Sequence, residues 1–328
     1  MASMSTWLLT GGAGYIGAHI VRSLQESGRQ VVVLDDLSSG VADNVPSDVA
    51  LVRCSILDQD TVASTLRSHR VEGVIHLAAK KAAGESVYEP LHYYEQNVEG
   101  MRRLLAAMLD SDVHRLVFSS SAATYGETQV ARLTEETPTV PTSPYGETKL
   151  IGEWMAKDLA RIGQLQLLAL RYFNVAGAVA PDLGDRSVAN LIPIALRAVA
   201  SGDRPPVFGA DYNTRDGSCI RDYIHVADLA HAHTSAVALL DTQQADEPIS
   251  RTYNVGTGEG ATVFEVLEQV RLATGIEFEP EIVGRRLGDP AQVVADPGKI
   301  RRDLGWSAHH GLADMVSSAW ASWQHFNG

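Results

Sequence analysis

This chain is poor in the residues that mark secreted and membrane proteins. It has only two cysteines in 328 residues, Cys54 and Cys219, and their spacing does not suit a metal site. A disulfide framework is therefore excluded, and we expect both thiols to be reduced packing residues. No apolar run approaches the roughly 20 residues of a membrane span. The segment Met1–Thr10 contains no lysine or arginine, so we expect no signal peptide and a soluble, cytoplasmic protein.

Basic residues are also scarce, with 27 lysines and arginines against 40 aspartates and glutamates, for a formal charge of −13. Binding to nucleic acid needs a basic face, so nucleic acid is excluded as a partner. An anionic ligand would instead be held by local arginines and backbone N–H groups. His225, His231 and His233 cluster in sequence, but their spacing does not place three ligands on one helical face, and we expect no metal site.

What the first half does contain is a regular alternation of strand-like and helix-like segments. The short apolar runs predict strands at Trp7–Thr10, Gln30–Asp35, Ala50–Cys54, Gly73–Leu77, Arg115–Ser119 and Gln166–Tyr172. Strand–helix–strand repetition predicts an α/β fold with a doubly wound, Rossmann-like parallel sheet. Ligands of such a sheet bind beyond the carboxyl ends of its strands.

The second half has a looser pattern. Residues 176–187 and 201–218 are rich in Gly, Pro and Asp and are predicted to be loops, whereas Val226–Leu240 and Val263–Thr274 have helical periodicity. Tyr253–Gly256 is predicted to be a strand that returns to the sheet. We therefore expect a first domain over residues 1–173 and a smaller C-terminal lobe over 174–328, part of which rejoins the sheet.

A glycine-rich turn follows the first predicted strand. Gly11, Gly14 and Gly17 lie between a strand and a helix, where glycine permits a tight turn and the helix N-terminus favours a pyrophosphate. A glycine motif alone is often only a turn. Asp35, followed by Asp36, ends the second strand, where a carboxylate can bind ribose hydroxyls and would repel a 2′-phosphate. The pattern favours NAD over NADP; the alternative is that these acids only cap a turn.

A second motif carries groups for proton transfer. Tyr145 and Lys149 are four residues apart, so on a helix they share one face, and Ser121 lies at the end of the fifth predicted strand. A nearby lysine charge would favour the phenolate and make tyrosine a better base. Taken alone, such a pair is most often a surface tyrosine and a solvated lysine. Together with the glycine turn, it predicts a nicotinamide-dependent enzyme acting on an alcohol carbon.

Over nearly its whole length the chain resembles the extended short-chain dehydrogenase/reductases, and within them the epimerase-like branch. The glycine motif is shared by the whole superfamily, whereas the tracts Lys81–Ser86 and Arg221–Val226 are specific to that branch. Further matching tracts are His76–Ala79, Tyr93–Asn97, Phe118–Ser121, Ser143–Lys149, Arg171–Asn174, Phe208-Gly209, Asp216-Gly217 and Arg285–Asp289.

The resemblance implies interconversion of UDP-glucose and UDP-galactose by transient oxidation at sugar C4 with bound NAD. It implies that Tyr145 is the base, Ser121 its partner, and Lys149 the residue that binds the nicotinamide ribose and lowers the tyrosine pKa. The cofactor positions are Gly11, Gly14, Tyr15, Ile16, Gly17, Asp35, Asp36, Ser55, Ile56, Leu77, Lys81, Asn97, Tyr145, Lys149 and Tyr172. The UDP-sugar positions are Lys81, Ser121, Tyr145, Phe173, Asn174, Asn190, Phe208, Arg221, Arg286, Asp289 and Val293.

The resemblance also implies a homodimer built on helices around Glu95–Leu109 and Pro144–Ala160. Their apolar residues offer more surface than one sheet face needs: Leu104, Leu105, Met108, Ile151 and Met155.

Two departures from related patterns bear on function. Ser55 stands where the family usually has an aspartate that binds adenine, which predicts weaker cofactor contact. Ala122 and Ala123 stand where dehydratases carry an Asp-Glu pair for elimination of water, which argues against a dehydratase. The remaining alternatives are an epimerase of another nucleotide sugar and a non-catalytic NAD-sensing regulator. Val293, small where some relatives carry tyrosine, predicts that N-acetylated UDP-hexosamines are accepted too.

Overall fold

The computed structural model describes residues 5–128, 130–242, 249–286 and 289–328. The chain forms two compact units. The first consists of Met1–Gly126, Pro138–Arg171 and Ala230–Tyr253, and the second of Glu127–Thr137, Tyr172–Leu229 and Asn254–Gly328. The chain thus enters the second unit after Arg171, close to the expected boundary at 173, but each unit also contains segments from across that boundary. Among the described residues, no helix is long and apolar enough to span a membrane.

The strands of the described residues are β1 (Thr6–Thr10), β2 (Gln30–Asp35), β3 (Ala50–Arg53), β4 (Gly73–His76), β5 (Arg115–Ser121), β6 (Gln166–Tyr172), β7 (Asn174–Ala176), β8 (Pro206–Phe208), β9 (Ile220–His225), β10 (Ser250–Val255), β11 (Gly260–Thr262), β12 (Glu281–Val283) and β13 (Gln292–Val293). The α-helices are α1 (Tyr15–Glu26), α2 (Gln59–Ser68), α3 (Ala83–Tyr88), α4 (Pro90–Tyr93), α5 (Gly100–Asp110), α6 (Pro144–Arg161), α7 (Leu191–Ala200), α8 (Val226–Thr242), α9 (Val263–Thr274), α10 (Gly298–Leu304) and α11 (Leu312–Asn327). A π-helical turn, Tyr94–Glu99, joins α4 to α5.

The central sheet has seven strands in the order β10-β6-β5-β4-β1-β2-β3. Strand β1 pairs in parallel with β2 on one side and β4 on the other, and β4 pairs in parallel with β5. This is the predicted doubly wound order, which reverses at β1 and so brings the carboxyl ends of β1, β4 and β5 together at one edge. The predicted fold class is confirmed, and β5 extends two residues beyond the expected end, to Ser121.

The second unit contains two small sheets. Strands β11, β9 and β13 form one path, with β7 also paired to β9, and β12 pairs with β8. Strands β7 and β8 fall in or beside segments predicted to be loops. They are only three residues long and lie among glycines and prolines, so a periodicity of two cannot be detected there.

The core of the first unit is built by helices α2, α5 and α6 against the sheet. Leu104, Leu105 and Met108 are 0%, 5% and 0% exposed, and Met155 packs against the same core. Leu104, Leu105 and Met108 are therefore core residues and supply no surface for a second copy, because they lie on the inward face of α5. Ile151 and Met155 of α6 are half-buried, and the homodimer stays a prediction.

Candidate active site

The glycine turn between β1 and α1 is shaped by close backbone approaches. Gly11 has φ +72°, and a Cβ there would lie 2.8 Å from the backbone nitrogen of Ala78, in the loop after β4. A Cβ at Gly17 would collide with the carbonyl oxygen of Gly11. Gly14 is the N-cap of α1, and no side chain caps the helix there. The twelve-residue helix therefore directs its N-terminus at the turn without an internal anion, as a pyrophosphate site requires.

Asp35 supports this turn from the end of β2. One carboxylate oxygen accepts a hydrogen bond of 3.0 Å from the backbone N–H of Ala13, and the other accepts one of 2.9 Å from Leu37. Burial raises the pKa of Asp35 against the effect of these two bonds. Asp36 is exposed in part and accepts from the backbone N–H of Ser38 at 2.8 Å. The alternative interpretation, that Asp35 and Asp36 only cap a turn, therefore accounts for part of the role of both residues.

Other expected cofactor residues surround the loops that follow β3 and β4. The hydroxyl of Ser55 accepts a bond of 3.2 Å from the N–H of Leu57, and Ile56 is buried. Asn97 is buried with its amide turned to the protein: it accepts from the N–H of Lys80 at 2.8 Å and donates to the Lys80 carbonyl at 3.0 Å. Asn97 thus holds the loop that carries Lys81, whose side chain is exposed; the other cofactor candidates, Tyr15, Ile16, Leu77 and Tyr172, are half-buried.

Tyr145 and Ser121 meet at the end of β5. Ser143 caps α6 by accepting from the N–H of Gly146, and Pro144 occupies the first turn, which places Tyr145 at the start of the helix. Ser121 follows closely in the chain of contacts at this strand end: its hydroxyl accepts a bond of 3.1 Å from the N–H of Ala123. Burial raises the pKa of Tyr145, whereas the nearby Ser121 side chain lowers it. The structure thus places Tyr145 close enough to Ser121 for the two side chains to interact.

Lys149 lies one turn further along α6 and is 4% exposed. Its ammonium donates a hydrogen bond of 2.8 Å to the carbonyl of Ser119 and lies 5.2 Å from the ring centre of Phe118. Burial lowers the pKa of Lys149 to about 8. Burial and the Lys149 charge also lower the pKa of His76 to about 3, and His76 shares a hydrogen bond of 2.7 Å with Thr10. Lys149 is therefore a buried functional group, not a solvated lysine.

The second unit brings together several of the expected UDP-sugar residues. The guanidinium of Arg286 lies 3.7 Å above the ring of Phe208, and Arg221 is paired with Asp289. Arg221 also donates to the carbonyl of Ile220 at 2.7 Å. A guanidinium stacked on an aromatic ring, and a second guanidinium in the same unit, are groups that suit a nucleobase and its phosphates.

Arg221 is held in place by its neighbour Asp222, which sequence reasoning did not single out. The buried Asp222 carboxylate accepts bonds from the N–H groups of Gly258 at 2.9 Å and Ala295 at 3.1 Å, and from both the N–H and the hydroxyl of Thr257. Burial raises the pKa of Asp222 to about 6 despite these bonds. The sequence signal that could have indicated Asp222 is its position next to Arg221 in β9. Successive side chains of a strand point to opposite faces, so one turns inward and the next outward.

Val293 lies beside Arg221, because the two residues are register partners in the parallel strands β13 and β9. Val293 is half-buried. The amide of the preceding Gln292 donates to the carbonyl of Ala131 at 2.7 Å, so its side chain is held at the 127–137 segment. Of the remaining candidates, Asn174 lies in β7, Phe173 is buried just before it, and Asn190 is the exposed N-cap of α7.

The chain is similar to a family of known enzymes over most of its length. The model of the NAD dependent epimerase/dehydratase family matches residues 7–256. The chain is 46% identical over 320 residues to UDP-glucose 4-epimerase of Halalkalibacterium halodurans, covering 95% of this chain and 94% of that protein. It superposes with a TM-score of 0.94 and 39% identity, over 99% of both chains, on UDP-glucose-4-epimerase from Stenotrophomonas maltophila crystallised with NAD and formylated UDP-arabinopyranose. The UDP-Glc/GlcNAc 4-epimerase of Campylobacter jejuni gives a TM-score of 0.85 at 34% identity, over 98% of this chain and 99% of that one.

Proposed function

Because this chain belongs to the NAD dependent epimerase/dehydratase family, we propose that it is an NAD-dependent isomerase that interconverts UDP-glucose and UDP-galactose. The observation that carries the proposal is a buried cluster at the end of β5: Tyr145 near Ser121, with Lys149 on the same face of α6 and bonded to the Ser119 carbonyl. The activities of its relatives and the NAD bound in one of them support the same conclusion.

NAD fits the first unit. The glycine turn and the uncapped start of α1 would hold its pyrophosphate, and Asp35 would bind the adenosine ribose. Lys149 would bind the nicotinamide ribose, and Ser55 and Ile56 would lie at the adenine. When bound, NAD supplies a reversible hydride acceptor and a positive ring, so that sugar C4 can be oxidised to a ketone and reduced from its other face.

The chain's own residues move the proton. Tyr145 takes the proton of the C4 hydroxyl and later returns it, while Ser121 donates to the same substrate oxygen. Burial raises the pKa of Tyr145, and the nearby Ser121 side chain lowers it. A nearby positive charge would favour the phenolate further. Burial of the pair keeps competing water away from the exchanged proton.

The second unit would hold the UDP part of the substrate. Arg221 and Arg286 would bind the diphosphate, Phe208 the uracil ring, and Asp289 would orient Arg221. Asn174, Asn190 and Phe173 would complete the sugar and nucleotide contacts. No global positive field is required, since two local guanidinium groups supply the charge on a chain of formal charge −13.

The structure also bears on the rival functions. A dehydratase needs acid and base groups beside the sugar, but Ala122 and Ala123 form the turn directly after Ser121. A regulator that only senses NAD has no use for a buried Tyr145 beside a buried Lys149. We place the reaction in the cytoplasm, where the unpaired thiols of Cys54 and Cys219 would stay reduced.

The test is direct. Purified protein should interconvert UDP-galactose and UDP-glucose with no added reductant, and Tyr145→Phe should lower turnover by at least ~100-fold while UDP binding stays intact. Near-normal turnover by Tyr145→Phe would disprove the assignment of the base. Failure of the parent protein to convert either sugar would overturn the proposed activity.

We further propose a homodimer that uses apolar side chains exposed on α3, α4 and α6. Tyr88 is 87% exposed, Leu91 81% and Trp154 55%, which is unusual for residues of this size. Light scattering should show a dimer at micromolar concentration, and Trp154→Glu should shift it towards monomer. A monomeric parent protein would contradict the proposal.

A further inference from the structure

Three side chains on one face of α6 contact the carboxyl end of β5 at intervals of four residues. Tyr145 lies near the Ser121 side chain, which lowers its pKa against the effect of burial, and Lys149 donates to the Ser119 carbonyl at 2.8 Å. Two turns beyond Tyr145, the carboxylate of Glu153 accepts a bond of 2.6 Å from the hydroxyl of Ser120. We call Tyr145, Lys149 and Glu153 the α6 ladder. The first two have roles in the proposed reaction, whereas Glu153 has none.

Glu153 is also bonded to a second strand of the central sheet, β6. Arg171, near the end of β6, donates from Nε and from one terminal nitrogen to the two carboxylate oxygens, each at 2.7 Å. The exposed fractions of Glu153 and Arg171 are 0% and 4%, and Lys157 adds a bond of 2.9 Å from the half-exposed side. The guanidinium of Arg171 lies 4.8 Å from the ring centre of Tyr125, just beyond the turn after Ser121. One buried ion pair therefore connects α6, β5 and β6.

Stability alone is a weak reason for such a pair. Burial would raise the pKa of Glu153, but the hydrogen bonds and charges of Arg171 and Lys157 outweigh it and lower the pKa. Glu153 is thus a buried anion whose desolvation cost its partners must offset. Apolar side chains of similar volume often replace a buried ion pair with no loss of stability. What apolar residues cannot supply is a directional hydrogen bond that selects one rotation of the helix.

We propose that Glu153 and Arg171 are positioning residues: by anchoring α6 to Ser120 they fix the rotation of the helix and hence the placement of Tyr145 relative to Ser121. The inference rests on the proposed function, in which these two side chains act on the reacting oxygen. A rotation of α6 by about 10° would move the end of a long side chain by about 1 Å. A misplacement of that size at a catalytic group can cost on the order of 100-fold in rate.

Two variants separate positioning from folding. Ser120→Ala removes only the anchor hydroxyl and leaves Glu153 paired with Arg171 and Lys157. The double variant Glu153→Met, Arg171→Met removes the whole ion pair without leaving a buried charge. The matched control is Ser23→Ala, which deletes another buried hydroxyl of the first unit, bonded to Thr234 at 2.8 Å and outside the ladder.

Each NAD-loaded protein is assayed for kcat and KM with UDP-galactose and for thermal unfolding. Ionisation of Tyr145 is measured separately, from the absorbance of tyrosinate as the pH is raised. The part that belongs to Tyr145 is the difference between each protein and the same protein carrying Tyr145→Phe. We expect Ser120→Ala to lower kcat about 10-fold and the double variant about 100-fold, with KM within about twofold of the parent. Tyr145 should ionise at higher pH in both, because a displaced Ser121 lowers the pKa of Tyr145 less.

The inference is overturned if Ser120→Ala behaves like Ser23→Ala in both kcat and the ionisation of Tyr145. It is also overturned if KM rises while kcat is unchanged, since that is lost binding and not lost positioning. If the double variant does not fold, Ser120→Ala decides alone. If the parent protein converts no UDP-galactose, the proposed function fails, and the ionisation of Tyr145 still decides whether Glu153 positions it.

Discussion

The ammonium of Lys149 is hydrogen-bonded at 2.8 Å to the carbonyl of Ser119, two residues before Ser121. The end of β5 therefore holds both the lysine and the partner of Tyr145. The bond requires Lys149 to be buried, and burial lowers its pKa to about 8. The charged lysine is thus kept at a cost in stability, as expected of a functional group rather than a structural one.

Lys149→Met should separate activity from stability. A pKa lowered from 10.5 to about 8 corresponds to about 3 kcal/mol of unfolding free energy lost to the charged form at pH 7. Methionine removes this cost but leaves the Ser119 carbonyl unpaired, which costs about 1–3 kcal/mol. We expect turnover to fall about 100-fold and the unfolding free energy, measured in urea, to change by no more than about 2 kcal/mol.

The same variant gives a pH signature. Between pH 8 and 10.5 the unfolded lysine binds more protons than the folded one, so the stability of the parent protein should rise with pH in that window. Lys149→Met should lack this rise. Equal slopes in the two proteins would show that Lys149 is not buried as a charge.

His76 should govern stability on the acidic side. Burial and the Lys149 charge lower the pKa of His76 from 6.5 to about 3, and its ring is stacked on Phe118. The unfolded protein therefore binds an extra proton between these values. The contribution of the neutral His76 to the free energy of unfolding is fully present above pH 6.5 and is lost as pH falls towards 3.

His76→Asn should remove that dependence. The free energy of unfolding should be measured in urea at several pH values. For each pH unit below 6.5, that of the parent should fall by up to about 1.4 kcal/mol more than that of the variant. The comparison concerns slopes, so a lower absolute stability of the variant does not affect it. Parallel pH dependences would exclude a neutral, buried His76.

Much of the fold and half of the site can be read from the sequence. Most strands of the central sheet were predictable because they contain short apolar runs, as buried parallel strands do. Strand β10 begins with Ser250 and Arg251, which are exposed, so the sequence predicted only its end. Tyr145 and Lys149 were predictable because their spacing is local. Glu153 continues that spacing by one more interval, and this signal could have been used; its partner Arg171 could not, since only the sheet brings β6 beside α6.

The substrate-binding half was less predictable for the same reason. The contacts of Arg286 with Phe208 and of Arg221 with Asp289 join residues about 70 or more positions apart. No periodicity encodes such pairs, and the resemblance to a family supplied them. The apolar face of α5 is the opposite case: its local spacing was visible at Leu104 and Met108, but the sequence does not show that this face packs into the core of the same chain.

Asp35 should select NAD over NADP. Its two oxygens already accept the N–H groups of Ala13 and Leu37, so the carboxylate is fixed and cannot turn away from a 2′-phosphate. Calorimetry should show NAD binding at least about tenfold more tightly than NADP, the size of one unfavourable charge contact. Asp35→Asn should reduce the ratio of the NAD affinity to the NADP affinity. Asp43→Asn, which changes an exposed carboxylate of the neighbouring turn, should leave this ratio unchanged. Equal or tighter binding of NADP by the parent would contradict the assignment.

Val293 should decide whether bulky sugars are accepted. It is the register partner of Arg221, so a side chain at this position stands beside the group proposed to bind the diphosphate. The alternative occupant of that space, Gln292, has its amide bonded to Ala131 at 2.7 Å. Successive residues of a strand also point to opposite faces, so Gln292 does not fill the volume that a tyrosine at position 293 would take.

The expected consequence is that the parent protein epimerises UDP-N-acetylgalactosamine as well as UDP-galactose. Val293→Tyr should retain kcat/KM for UDP-galactose within about threefold and lose at least about tenfold for the acetylated sugar, since a buried clash of a few atoms costs about 1–3 kcal/mol. Val293→Ile, which adds one methylene, is the matched control and should leave both sugars nearly unaffected. A parent protein that refuses the acetylated sugar refutes the prediction, and so does a tyrosine variant that treats the two sugars alike, because either result places the limiting contact somewhere other than β13.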